Sequence, residues 1–253
     1  MLPLEREALI IEELKKKGTV KVEDLAEMLN VTPMTIRRDL DKLEKQGLAY
    51  RSHGGAVLQN PLLKEQNYDV KRLVNQDKKQ KIAQIACEMI KDGDTILLDA
   101  GTTSYELALL LKKKNDLTVI TNDLKIALEL YTAECRVFIA GGQIQKETGI
   151  AIGTATENFI SNIRVDISFI GTSSIGRDWV LYTPTLEKAS LKRKMVECAK
   201  RSVLLADSSK FFRESFAKIC SFAELDVLIT DKEFSSLEAK ELEKTGIKIM
   251  SIN

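Results

Sequence analysis

The sequence predicts an α/β protein: a mostly parallel sheet covered by helices on both faces, preceded by a small unit of three helices and a β-hairpin. Three observations carry this. After about residue 77, near-continuous apolar runs of strand length alternate with amphipathic helical stretches, the pattern of a parallel sheet buried on both sides. Before residue 58, three short helical patterns end in a glycine-centred turn between two short strand patterns. Residues 59–76 between them are polar and charged around Pro61 and read as a linker. The expected organisation is therefore a head at 1–58, a linker at 59–76 and a larger domain at 77–253, a sensible division for 253 residues.

In the head, Glu5 to Lys17 carries Leu9, Ile10 and Leu14 at helical spacing and stops at Gly18. Val22 to Leu29 repeats the pattern with Leu25, Ala26 and Leu29. After the tight turn Asn30-Val31-Thr32, Thr32 and Pro33 open a third helix as N-cap and first-turn proline, and Gly47 closes it. Ala49 to Leu58 reads as two strands around His53-Gly54-Gly55. This order is that of a winged helix-turn-helix.

On a helical wheel Ile36, Leu40 and Leu43 form one apolar stripe that must pack on the first two helices. Met34, Arg38, Asp41 and Lys45 then face outward, flanked by Thr35 and Lys42 on one side and Arg37 on the other. A helix presented this way fits a major groove about 12 Å wide. Thr35 and Arg38 are the expected base readers, with Thr32 and Met34 near the backbone or a thymine methyl and Arg37 at a phosphate. Arg51 and His53 extend the wing towards neighbouring DNA. One such helix reads only a few base pairs, so a homodimer or higher homo-oligomer on a repeated double-stranded DNA operator is expected.

In the larger domain, strand candidates fall at Thr95–Asp99, Leu117–Thr121, Arg136–Ala140, Ile167–Gly171, Val203–Asp207, Val227–Thr230 and Lys248–Ile252. Helical stretches precede, separate or join most of them. Several strands end in small polar runs: Asp99-Ala100-Gly101-Thr102-Thr103-Ser104, Thr121-Asn122-Asp123, Gly141-Gly142, Gly171-Thr172-Ser173-Ser174 and Asp207-Ser208-Ser209-Lys210. In a parallel sheet these line one edge, where ligands bind at a switch in strand order. Gly101-Thr102-Thr103-Ser104 leads straight into a helix, so its N–H groups and the helix dipole favour an anion. Neither nucleotide-binding glycine motif is present.

Composition narrows the class. The hydrophobic share is 44%, yet no apolar stretch is long enough to span a bilayer, and no secretory pattern opens the chain. Four scattered cysteines and a single histidine make metal chemistry an unpromising expectation, and no cofactor is expected. The reading is a cytoplasmic protein with reduced thiols and no membrane partner. A net charge of +1 gives no global attraction to nucleic acid, so any such contact must be local.

Lys17-Gly18-Thr19-Val20, Asp24-Leu25-Ala26, Thr35-Ile36-Arg37-Arg38-Asp39-Leu40 and His53-Gly54-Gly55-Ala56 together resemble the DeoR family of bacterial regulators, and the resemblance runs through the whole chain. It implies a transcriptional regulator, a repressor of a sugar or carbohydrate operon, whose DNA affinity is set by a phosphorylated sugar. It also implies an effector domain similar in fold to ribose-5-phosphate isomerase. Carried over residue by residue, it puts Asp99, Gly101, Thr102, Thr103, Asn122, Asp123, Gly142, Glu187, Lys192 and Lys210 near the sugar phosphate. Lys192 and Lys210 would neutralise phosphate, and Asp99 and Asp123 would accept from hydroxyls. One departure is that Lys188 stands where family members often carry a second acid, which implies a different effector or an extra phosphate contact. Trp179 and Tyr182 read as packing residues. The alternative is a sugar-phosphate isomerase-like enzyme bearing a DNA-binding head. The rim has carboxylates and lysines for acid–base chemistry, but no evident base with a proton-transfer partner.

Overall fold

The computed structural model describes residues 3–45, 48–52, 54–58, 62, 68–114 and 116–252. They divide into two compact units, Met1–Lys64 and Glu65–Asn253. Gly47, His53 and most of the span 59–67 lie outside the described residues.

The first unit runs α1 (Pro3–Lys17), β1 (Thr19–Lys21), α2 (Val22–Met28), α3 (Pro33–Lys45), β2 (Ala49–Ser52) and β3 (Gly55–Leu58). Ile10 and Leu14 of α1 meet Ile36, Leu40 and Leu43 of α3 in a core where all five are fully buried. The helices carry their own end signals: Glu5 in the first turn of α1, and Lys15, Lys16 and Lys17 in its last, complement the dipole. Thr32 caps α3, its hydroxyl accepting from the Thr35 N–H at 3.2 Å. The strand β1 was not expected. It pairs antiparallel with β3, giving a three-stranded sheet in the order β1-β3-β2. Gly55 makes this possible, since a Cβ there would lie 2.0 Å from the Val20 carbonyl oxygen.

The second unit opens with α4 (Tyr68–Leu73), inside the span read as a linker. Tyr68 is buried, and the division between the compact units falls between Lys64 and Glu65. The chain continues with α5 (Gln76–Glu88), β4 (Thr95–Leu98), α6 (Thr102–Leu111), β5 (Thr118–Thr121), α7 (Leu124–Leu130) and β6 (Arg136–Ile139). A hairpin of β7 (Gln143–Gln145) and β8 (Ile150–Ile152) leads to α8 (Thr154–Ser161) and β9 (Val165–Gly171). Then follow β10 (Ser174–Ile175), β11 (Val180–Thr183), α9 (Leu186–Glu197), β12 (Ala199–Leu205), β13 (Ala217–Ser221), β14 (Val227–Thr230), α10 (Ser236–Glu243) and β15 (Lys248–Ser251).

Seven strands form one parallel sheet in the order β15-β14-β12-β9-β4-β5-β6. Alternation along each strand sends side chains to two cores. Ile96 and Leu98 join the core built with α5, α6 and α7, while Leu97 joins Ile160, Leu191 and Met195 of α8 and α9. A second, antiparallel sheet, β10-β11-β13, packs Leu181 and Ile219 beside Trp179 and Phe222. From β4 the chain moves outward to β5 and β6, then returns to place β9 on the other side of β4. The strand order therefore reverses between β4 and β9. All four cysteines are free thiols. Among the described residues, no helix is long and apolar enough to cross a membrane and no cluster suited to a metal ion is found.

Candidate nucleic-acid interface and effector cleft

The buried stripe of α3 leaves Met34, Arg37 and Arg38 exposed on the opposite face, with Met34 57% accessible despite being apolar. Thr35 is half-buried and its hydroxyl lies 3.0 Å from that of Thr32, so the start of the helix presents a pair of hydroxyls beside two guanidinium groups. The helix is tied to α1 from below. Arg6 donates to both carboxylate oxygens of Asp39, at 2.5 and 3.0 Å, and this pair is buried. The bidentate geometry fixes the roll of α3 about its axis.

Two of the expected DNA contacts have partners within the unit. Lys42 donates to Glu7 of α1 at 2.7 Å, and Glu7 is buried. Arg51 on β2 pairs with Asp41 at 3.3 Å, while its backbone N–H donates to Glu44 at 2.9 Å. Both residues thus brace α3. His53 lies outside the described residues.

In the second unit a cleft sits where the strand order reverses. Its floor is the polar run after β4 and the turn after β9, both at carboxyl ends of strands. It encloses about 870 Å³ of space not filled by atoms, part of it open to solvent. Of the expected residues, Asp99, Gly101, Thr102, Thr103, Asn122, Asp123, Lys192 and Lys210 line it. Gly142 and Glu187 are not among the residues that line it. Gly142 is glycine for a packing reason: a Cβ there would meet Thr156 Oγ1 at 2.2 Å and the Ile152 carbonyl at 2.6 Å. Glu187 is exposed in the first turn of α9, whereas the next residue, Lys188, is buried and lines the cleft.

Asp99 ends β4 and is engaged internally. Its Oδ2 accepts from the Gly171 N–H at 2.8 Å and from the Lys192 ammonium, which also donates to the Gly171 carbonyl at 3.0 Å. Lys192 is therefore neither a solvated surface charge nor an unpaired cation. The first turn of α6, Thr102, Thr103 and Ser104, lines the cleft, and the leading N–H groups of a helix lack intrahelical partners and favour an anion. Asp123 caps α7, with Oδ1 accepting from Lys125 and Ile126 N–H groups at 2.8 and 3.4 Å. Burial pushes its carboxyl pKa up, against the pull of the Lys125 N–H and charge and of the Ile126 and Gly101 N–H groups. Asn122 donates to the Ala151 carbonyl at 3.0 Å.

What these two residues leave over matters more. The Tyr68 hydroxyl, Asn122 Oδ1, Asp123 Oδ2 and Thr183 Oγ1 are buried, lie in residues that line the cleft, and have no hydrogen-bond partner. Buried polar atoms are almost always satisfied, so four at one site point to a bound molecule that satisfies them. At the cationic side, Lys210 has its pKa lowered to about 8, by burial first and then by Lys71, Lys79 and Arg213, against the pull of Asp207. An arriving anion would relieve that crowding.

Sequence reasoning missed Tyr68, Lys71, Thr148 and Thr183 as cleft residues. The available signal for the first two was Tyr68-Asp69-Val70-Lys71-Arg72-Leu73, with one aromatic and two apolar residues in a span otherwise polar. Trp179 and Tyr182 pack elsewhere: Trp179 stacks against Phe222 and donates to Glu241 at 3.1 Å, and Tyr182 donates to Asp178 at 2.8 Å.

A family model described as a DeoR-like helix-turn-helix domain matches residues 6–61, and one described as the DeoR C terminal sensor domain matches residues 74–232. The chain is similar to the HTH-type transcriptional regulator GlpR of Haloferax volcanii, 36% identical over 99% of this chain and 98% of that protein. It is 35% identical to the glycerol-3-phosphate regulon repressor of Escherichia coli K12, over 88% of each. Against a putative aga operon transcriptional repressor of Escherichia coli O157:H7 it is 33% identical, over 98% of this chain and 93% of that one. Among solved structures it is similar to ribose 5-phosphate isomerase A of Methanocaldococcus jannaschii, with a TM-score of 0.41 and 20% identity over 54% of this chain and 55% of the other.

Proposed function

The chain belongs to the DeoR family of transcriptional regulators, and from that premise we propose that it represses a carbohydrate operon and is released from DNA when a sugar phosphate fills the cleft. In this reading residues 1–58 form the DNA-binding head and the unit from Glu65 onward senses the effector. Thr35 and Arg38 read base edges in the major groove, with Met34 and Thr32 beside them and Arg37 on a phosphate. Lys42 and Arg51 hold the helix in position. The protein works as a homodimer or larger homo-oligomer, because one such helix reads too few base pairs for useful specificity.

The observation that carries the effector reading is the pairing of two chemistries in one cleft. A helix N-terminus with neighbouring lysines suits an anion, and the unpartnered acceptors Asn122 Oδ1 and Asp123 Oδ2 suit hydroxyl donors. A phosphorylated polyol or sugar has both. A thermal-shift screen with glycerol 3-phosphate, fructose 1-phosphate, fructose 6-phosphate and ribose 5-phosphate, followed by gel shifts on the operator beside the gene, tests it. At least one ester should raise the unfolding temperature and weaken DNA binding. Stabilisation by none of them would overturn the reading.

A further inference from the structure

The helix α4 is the first described helix beyond the DNA-binding head, and its two ends are held in different ways. At its C-terminal end, the buried Lys79 ammonium donates to the carbonyls of Lys71 and Val74, the latter at 2.6 Å. Just beyond, Asn75 donates to Asp207 at 3.0 Å and Lys78 pairs with Asp231 at 2.6 Å. These contacts come from α5 and the sheet edge and need no ligand.

At the N-terminal end stands Tyr68. Its ring is buried, with the Lys125 ammonium 4.0 Å from the ring centroid. Its hydroxyl is buried, belongs to a residue lining the cleft, and has no hydrogen-bond partner. Asp123 lies near enough for its charge to act on the phenol, which burial, and then that charge, keep protonated. Tyr68 and Asp123 line the same cleft, and the Lys125 whose ammonium covers the Tyr68 ring also donates its N–H to Asp123 Oδ1. A ligand hydroxyl both donates and accepts, so a single hydroxyl can serve the phenol donor and the unpartnered Asp123 Oδ2 together.

We infer that Tyr68 donates to a hydroxyl of the bound sugar phosphate that in turn donates to Asp123, and that this contact anchors the N-terminal end of α4, so that cleft occupancy acts on the chain segment carrying the DNA-binding head. The inference rests on the cleft being the effector site. It also narrows the ligand: a deoxy analogue lacking that hydroxyl leaves two buried groups unpaired and binds more weakly.

The test uses the full chain and the tightest binder among glycerol 3-phosphate, fructose 1-phosphate, fructose 6-phosphate and ribose 5-phosphate. Tyr68→Phe keeps the ring and its contact with Lys125 and removes only the hydroxyl. By calorimetry its Kd rises about fivefold or more, the loss of one net hydrogen bond, while the ligand-free unfolding temperature stays at or above that of the wild type. By hydrogen exchange, amides of Tyr68–Leu73 slow when the ester is added to the wild type and do not slow in saturated Tyr68→Phe. A Tyr68→Phe Kd within about twofold of wild type overturns the inference, and so do wild-type α4 amides indifferent to ligand, a measurement that needs no variant. If none of the four esters binds the wild type, the effector-site reading itself falls and takes this inference with it. Binding by the wild type with either negative result removes the inference alone.

Discussion

The Lys192 ammonium on α9 reaches the Asp99 carboxylate at the carboxyl end of β4, and the same ammonium holds the Gly171 carbonyl at the end of β9. The pair spans the point where the strand order reverses, and Asp99 adds a third link by accepting from the Gly171 N–H. Lys192→Met strands a carboxylate whose side chain is 3% exposed. We expect a loss of roughly 3–5 kcal/mol in urea unfolding of the second unit. The double variant Asp99→Asn, Lys192→Met should recover most of it. Wild-type stability in the single variant would show that the pair is not a fastening.

Arg38→Ala should weaken operator binding by roughly 1–3 kcal/mol and relax the sequence preference at one position, as expected for a bidentate contact to guanine. Lys42→Ala should act differently, because Lys42 is bound to Glu7. Its effect should be smaller and independent of the base at any position. Gel shifts across a substituted operator series separate the two, and equal behaviour would reject the assignment of Arg38.

Effector affinity should fall above pH 8. The native Lys210 loses its proton near pH 8, while the unfolded chain keeps it to about 10.4. Between these values the unfolded state binds more protons, so Lys210 makes the ligand-free protein more stable as pH rises through that window. A phosphate reverses the preference by favouring the charged form. Binding should therefore take up a proton near pH 8 and weaken by up to tenfold per pH unit above it. Calorimetry in buffers of different ionisation enthalpy reads the uptake, and Lys210→Met should abolish it. Affinity flat from pH 7 to 9.5 would remove Lys210 from the site.

Gly55→Ala should unfold the head selectively. The added Cβ meets the Val20 carbonyl oxygen at 2.0 Å, and a backbone oxygen cannot swing aside as a side chain can. Separating β1 from β3 should cost about 1–3 kcal/mol or more. DNA affinity should drop with the first unit's unfolding temperature, and sugar-phosphate affinity should not change. Loss of both activities together would show that the two units do not fold independently.

The sheet was legible because its strands are apolar on both faces, so Thr95–Leu98, Val165–Gly171 and Val227–Thr230 stand out as runs. The α3 stripe was legible because Ile36, Leu40 and Leu43 repeat at helical spacing. What escaped was β1, three residues with only Val20 facing inward, and the strands outside the parallel sheet, β7, β8, β10, β11 and β13. The cleft was legible where strand-end loops form it. It was not legible at Tyr68 or Thr183, which reach it from a short helix and from the antiparallel sheet. Glu187 adjoins the cleft residue Lys188 in sequence but is exposed on α9, and Gly142 sits where a Cβ would meet Thr156 and Ile152. Position along the chain says little about direction when a turn or a helix face decides it.

The reversal between β4 and β9 separates what holds the sensor together from what it detects. Strand interiors are packed on both sides, while the cleft is lined mainly by side chains borne on turns and helix beginnings. Exchanging a handful of such peripheral groups can retune a chemical preference without repacking the interior. One scaffold can thereby be assigned to many nutrients, each new assignment reached by small steps that leave foldability intact.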